Sequence, residues 1–200
     1  MKKSAALAAA VLCGLTLLSL MLGGCFAVSL RPLYLPGDLI YDPGLVGVWS
    51  PPDSKETWTF TREGDRQYRL VFADPEGKKT AMVAHLLEIN GDRYLDLAPV
   101  DDEEFAPATF PMLPVHTFLA VERMQPTLRL AAMSYEWMDK HLKGSPGAIR
   151  HERVRQPGEG TPDQLLLTGS SRELQTFVRA HHHKTPGAFH DPFELSRRKP

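Results

Sequence analysis

Cysteine is nearly missing from this 200-residue chain, which has only Cys13 and Cys25. That excludes the dense disulfide framework that staples small secreted domains. An excess of charge of one sign is missing too. With 23 Lys and Arg against 24 Asp and Glu, the net charge is −1, which gives no basic footprint for nucleic acid or for anionic lipid headgroups. The chain contains no Gly-x-Ser-x-Gly elbow, no His-Glu-x-x-His pair and no glycine-rich phosphate loop, so the commonest hydrolase, metallopeptidase and nucleotide-binding motifs are excluded. Long uninterrupted helical stretches are scarce, because 17 prolines and 15 glycines punctuate the sequence and favour short strands joined by turns.

The one long apolar stretch runs from Ala5 to Leu22, after Lys2 and Lys3, and ends in Leu22-Gly23-Gly24-Cys25. The stretch is about long enough to span a bilayer, but no basic stop cluster follows it directly. An aliphatic residue, two small residues and a cysteine resemble the lipobox of bacterial lipoproteins. That resemblance implies a signal peptide over 1–24, cleavage between Gly24 and Cys25, and a lipid on the Cys25 thiol, with palmitate as the metabolic label. Two or three acyl chains, at about 0.8 kcal/mol per buried CH₂, make an effectively permanent anchor. In enteric members of the family an Asp after the cysteine retains the protein at the inner membrane. Phe26 stands here, which points to the periplasmic face of the outer membrane. Removing residues 1–24 discards Cys13, Lys2 and Lys3, leaving a net charge of −3 and no spare cysteine nucleophile.

Residues 25–42 read as a lipidated tether made extended by Pro32, Pro36 and Gly37. Its apolar residues lie either at the membrane interface or against the domain. A single β-rich domain is expected over 43–184, followed by a basic, frayed tail over 185–200. Leu45–Trp49 reads as a first strand. Trp58 and Phe60 alternate on one strand, and Tyr68, Leu70 and Phe72 on the next. A three-residue loop, Glu63-Gly64-Asp65, with Gly64 at positive φ, pairs Phe60 with Tyr68 and Trp58 with Leu70. Asn90-Gly91 is the clearest hairpin signal in the chain. It sets Glu88 opposite Arg93, and His85 opposite Asp96 beside Val83, Leu87 and Tyr94. Two strands follow, Val115–Glu122 and Thr127–Ala132. Ile149–Arg155 and Gln164–Thr168 read as closing strands.

Ser134 caps a short helix carrying Tyr135, Met138 and Leu142. Ser170-x-x-Glu173 is a capping box for a second, with Leu174, Phe177 and Val178 as its buried stripe. His181, His182 and His183 end that helix. Consecutive helical residues point about 100° apart, so the three cannot converge on one ion, and they read as cations complementing the helix dipole. The acidic run Asp101–Glu104 lacks the spacing and central glycine of a calcium loop. No metal or other cofactor is expected beyond the covalent lipid.

The fold class is thus mainly β: an antiparallel barrel or strongly curved sheet with a short inserted helix and a C-terminal helix. Gly47-x-Trp49 on the first strand resembles the Gly-x-Trp signature of lipocalins, some of which are outer-membrane lipoproteins. The resemblance implies that Trp49 closes one barrel end against a basic residue on a late strand, with Arg150 and Arg153 as candidates. The inserted helix departs from that pattern. Three functions follow as expectations. The first is a membrane-anchored module binding a small apolar or amphipathic ligand. The second is a structural or assembly lipoprotein acting through envelope protein partners. The third is a hydrolase or isomerase using His85 and Asp96, whose plainer reading is a satisfied polar pair on a half-buried sheet. Replacing Cys25 by Ala is expected to leave the precursor uncut and to abolish metabolic labelling with palmitate; undiminished label would overturn the lipobox assignment.

Overall fold

The structure, a computed structural model, describes residues 27–100, 115–155 and 163–198. Gly24, Cys25 and the acidic run 101–104 lie outside them. Among the described residues, no helix is long and apolar enough to cross a membrane.

Two short strands come first, β1 (Val28–Ser29) and β2 (Leu39–Ile40). A meander then runs through β3 (Gly47–Ser50), β4 (Thr57–Arg62), β5 (Tyr68–Ala73), β6 (Lys79–Ile89), β7 (Asp92–Pro99), β8 (His116–Arg123) and β9 (Thr127–Met133). Helix α1 (Tyr135–Gly144), strands β10 (His151–Val154) and β11 (Gln164–Leu167), helix α2 (Ser171–His181) and strand β12 (Phe189–Arg197) complete the chain. Strand β12 inserts between β9 and β3, antiparallel to both, so β3 to β9 plus β12 form a closed eight-stranded antiparallel barrel. Closure leaves no sheet edge along its wall.

The period-2 pattern builds two cores rather than one. Inward-facing Trp49, Trp58, Phe60, Tyr68, Leu70, Leu86, Leu95, Leu128, Leu130 and Leu195 fill the barrel, all at zero exposure. The outward residues of β6 to β9, among them Leu87, Tyr94, Phe118 and Met133, form a second core with the helices. Met138 and Leu142 of α1 and Leu174, Phe177 and Val178 of α2 meet them there. Both helices start where the sequence indicates. Ser134 Oγ accepts from Trp137 N, and Ser170 with Glu173 makes the reciprocal capping box, an arrangement worth about 1 kcal/mol per cap.

The structure bears out one expected hairpin and corrects several other expectations. Asn90 and Gly91 both take left-handed φ, and the β6–β7 register follows with Glu88 opposite Arg93. In the β4–β5 hairpin the inward faces are as expected, but Phe60 pairs with Leu70 and Trp58 with Phe72. A five-residue loop, closed by Glu63 N donating to Gln67 O, moves the register by two and so preserves the faces. Gly64 is not among the positive-φ glycines. Strands β10 and β11 do not close the barrel; they pair with each other and, through β1, with β8. The closing strand is β12, within the segment expected to be a tail. Its alternation is interrupted at Asp191-Pro192, where Asp191 has φ 49° and the register against β9 shifts between His190 and Phe193. The expected tether over 25–42 is likewise part of the body as far as it is described: β2 pairs with β6, and Leu33 is fully buried.

Trp49 meets neither Arg150 nor Arg153 across the barrel end. The basic residue is Arg197 of β12, its guanidinium 4.5 Å above the Trp49 ring. Arg197 also donates to the carbonyls of Gly44 and Val46, while Trp49 Nε1 donates to Leu45 O at 2.8 Å. Arg150 instead pairs with Glu173, and Arg153 with Asp139. Gly47 has φ +143°, and a Cβ there would lie 2.3 Å from Arg197 Nη1. Gly47→Ala should therefore destabilise the fold by about 1–3 kcal/mol through backbone strain and displacement of Arg197. Urea unfolding checks this, and an unchanged midpoint would contradict it.

Candidate functional site

The β6–β7 register places His85 opposite Asp96, on the outward face. Asp96 is fully buried, and its carboxylate is engaged by other groups. Oδ1 lies 2.6 Å from His116 Nδ1, and Oδ2 accepts from Leu33 N at 2.7 Å. His116 opens β8, two residues before Phe118, the register partner of Asp96. The His85 ring packs on Tyr34, with centroids 4.6 Å apart. Burial pushes the His85 pKa below the usual histidine range; Asp96 opposes that shift and His116 adds to it. Burial and Asp96 together raise the Tyr34 phenol.

What covers this pair is the strap formed by residues 27–42. Leu30 N donates to Leu167 O, and Thr117 Oγ1 donates to Ala27 O. Gln175 Nε2 of α2 donates to Leu33 O at 2.9 Å and to Asp38 Oδ2 at 2.7 Å. Farther along, the Tyr68 hydroxyl accepts from Asp42 N and donates to Asp42 O. A general base needs a reactant within hydrogen-bond reach. Here the carboxylate is spent on a backbone N–H and a second imidazole under a covering segment. The arrangement ties strap to barrel.

A second polar cluster lies at the end of α2. As expected, the three histidines do not converge. His181 packs among Trp137, His141 and Phe177 and bonds Thr185 Oγ1. His182 Nδ1 lies 2.7 Å from the Tyr94 hydroxyl, and His183 Nε2 lies 2.8 Å from Asp92 Oδ1. Burial lowers the pKa of His181 and of His182 and disfavours their charged form, which counts against the helix-end cation reading for those two. Among the described residues, Asp92, His182 and His183 are the group whose donor atoms come close enough, within 4.8 Å, to share an ion. Sequence reasoning missed this because Asp92 lies 91 residues from His183.

Comparison with protein families, curated proteins and solved structures finds no match.

The lowered pKa of His85 has a consequence for stability. Below the ordinary histidine value of 6.5 the unfolded chain takes up a proton that the folded chain resists, so stability is lost as the pH falls through that value and levels off below the folded pKa. The melting temperature should drop between pH 7.5 and 5.5, and His85→Gln should make the profile shallower. A profile as steep in the variant as in the parent would refute this.

Proposed function

We propose that this chain is a lipid-anchored lipoprotein of the bacterial cell envelope, held through acyl chains on Cys25. Its barrel serves as a filled, non-catalytic scaffold that acts through contacts with other envelope proteins. The observation that carries this reading is the barrel interior. A pocket for a small apolar ligand needs roughly 300–1,000 Å³ of space lined by side chains that solvent-sized probes can touch. Trp49, Trp58, Phe60, Tyr68, Leu70, Leu86 and Leu95 have zero exposure, so none of them borders such a space. Trp58 meets Phe72 edge-on at 5.7 Å and Phe193 at 5.8 Å, and its indole N–H is bound by buried Glu56 at 2.7 Å. Opening a cup would break these contacts.

Two further features support the reading. Asp96, the carboxylate of the one candidate catalytic pair, is buried under the strap. The strap supports the reading as well: Ala27, two residues from Cys25 in sequence, is held by Thr117. Two residues reach about 7 Å when fully extended, so a lipid on Cys25 would keep the barrel near the membrane surface. The Phe26 that follows the cysteine favours the periplasmic face of the outer membrane.

Native mass spectrometry of the protein extracted from its own membrane tests the proposal. The expected mass is that of the chain from Cys25 onward plus its acyl groups. A stoichiometric co-purified small molecule would overturn it in favour of a ligand-binding module.

A further inference from the structure

We propose that Asp92, His182 and His183 form a binding site for one divalent transition-metal ion of the zinc class. The site consists of two imidazoles and one carboxylate, with the remaining coordination positions turned toward an open cleft. Imidazole nitrogen and carboxylate oxygen are the donors that zinc and its neighbours prefer, and three protein ligands with an open position is a recurrent arrangement for such ions.

Each donor is placed by a separate feature of the fold. Asp92 is the first residue of β7, directly after the left-handed Asn90-Gly91 turn. His182 is the C-cap of α2 and retains helical backbone angles. The 100° step between consecutive helical residues sends His181 away to Trp137 and His141. It does not separate His182 from His183, whose rings stack 4.1 Å apart at 22° and turn toward the same carboxylate. Asp92 offers one oxygen to each. Oδ1 lies 2.8 Å from His183 Nε2, and Oδ2 lies 3.8 Å from His182 Nδ1. A shared ion at about 2.0–2.2 Å from each donor requires the two rings to unstack, because each nitrogen lone pair lies in its own ring plane. His183, 68% exposed, is free to turn.

The surroundings bear on ion uptake as well. The hydroxyl of buried Tyr94 lies 2.7 Å from His182 Nδ1, so an ion taken up by that nitrogen displaces the tyrosine hydrogen bond. Arg93, one of the cations beside the site, is committed to Asp42 and Glu88. The cleft, about 420 Å³ in volume, is also lined by Glu122 and Phe189, which leaves room for water or an incoming ligand atom on the ion. A bound metal would clamp the end of α2 to the β6–β7 turn, a cross-link that the chain's cysteines cannot provide.

The test uses the full chain, extracted in detergent, purified without a polyhistidine tag and stripped with chelator. Zinc titration by calorimetry should give one ion per chain, and cobalt(II) should develop a visible spectrum of imidazole–carboxylate ligation. His183→Ala, at an exposed position and with its metal-free melting temperature measured alongside, should weaken zinc binding at least about tenfold. Asp92→Asn should do the same, while His181→Ala should leave binding intact. The proposal is overturned by no uptake at about 100 µM zinc, a concentration far above the affinity of a built zinc site. Binding of equal strength in His183→Ala and Asp92→Asn overturns it too.

Discussion

The stacking of Arg197 on Trp49 is the contact on which barrel closure depends. Most neighbouring strands of the barrel share four to eight register pairs, but β12 and β3 share only two, Ser196 with Ser50 and Arg197 with Trp49. A seam so short in ladder hydrogen bonds must be held by side chains. Arg197 covers the indole and binds the Gly44 and Val46 carbonyls. Arg198 adds its own bonds to Val48 O, Ser50 Oγ and Ser54 O. Gly47 then follows as a steric requirement, because the guanidinium occupies the volume where a Cβ would stand. The cation, the indole and the missing side chain form one device.

The barrel also has an outer half. Its wall from β6 to β9 carries a second apolar face, and two capped helices, the strap and the β10–β11 pair cover it. Asp96 is the polar centre of that layer. A buried charge is costly unless it is paired and hydrogen-bonded, and Asp96 meets that condition by holding the Leu33 amide and His116 together. What chemistry alone would read as a catalytic dyad is, in its packing, a fastening for the N-terminal segment. The same layer sets the position of His182 and His183, because α2 is oriented by its stripe of Leu174, Phe177 and Val178.

Legibility in the sequence tracked how local the deciding interaction is. The β6–β7 register could be read because two adjacent residues, Asn90 and Gly91, determine it. The helix starts could be read from Ser134 and Ser170 for the same reason. The β4–β5 register is two residues off because loops of three and five residues give the same inward faces, and alternation cannot distinguish them. Strand β12 was hidden because Asp191-Pro192 breaks its alternation; a proline within a run argues against a central strand, and only the bulge makes it tolerable. Residues 151–154 read as barrel wall from their sequence, whereas their nearly continuous exposure is that of an outer edge. For the histidines the local angular rule held, and the missing partner, Asp92, lay too far along the chain to be paired by pattern.

Closure by β12 has a consequence for the order of assembly. The strand that seals the barrel is the last of those described, and it joins β3 across 146 residues, from Ser50 to Ser196. Until it arrives, seven strands can pair only as an open sheet, with β3 and β9 each presenting an unsatisfied edge. Such edges recruit strands from other chains, and contacts so distant in sequence form slowly. A chain made from its N-terminus therefore passes through a long interval in which seven strands are present and its barrel is still unsealed. Chaperone dependence, and aggregation on loss of the final ten or so residues, would arise from that interval.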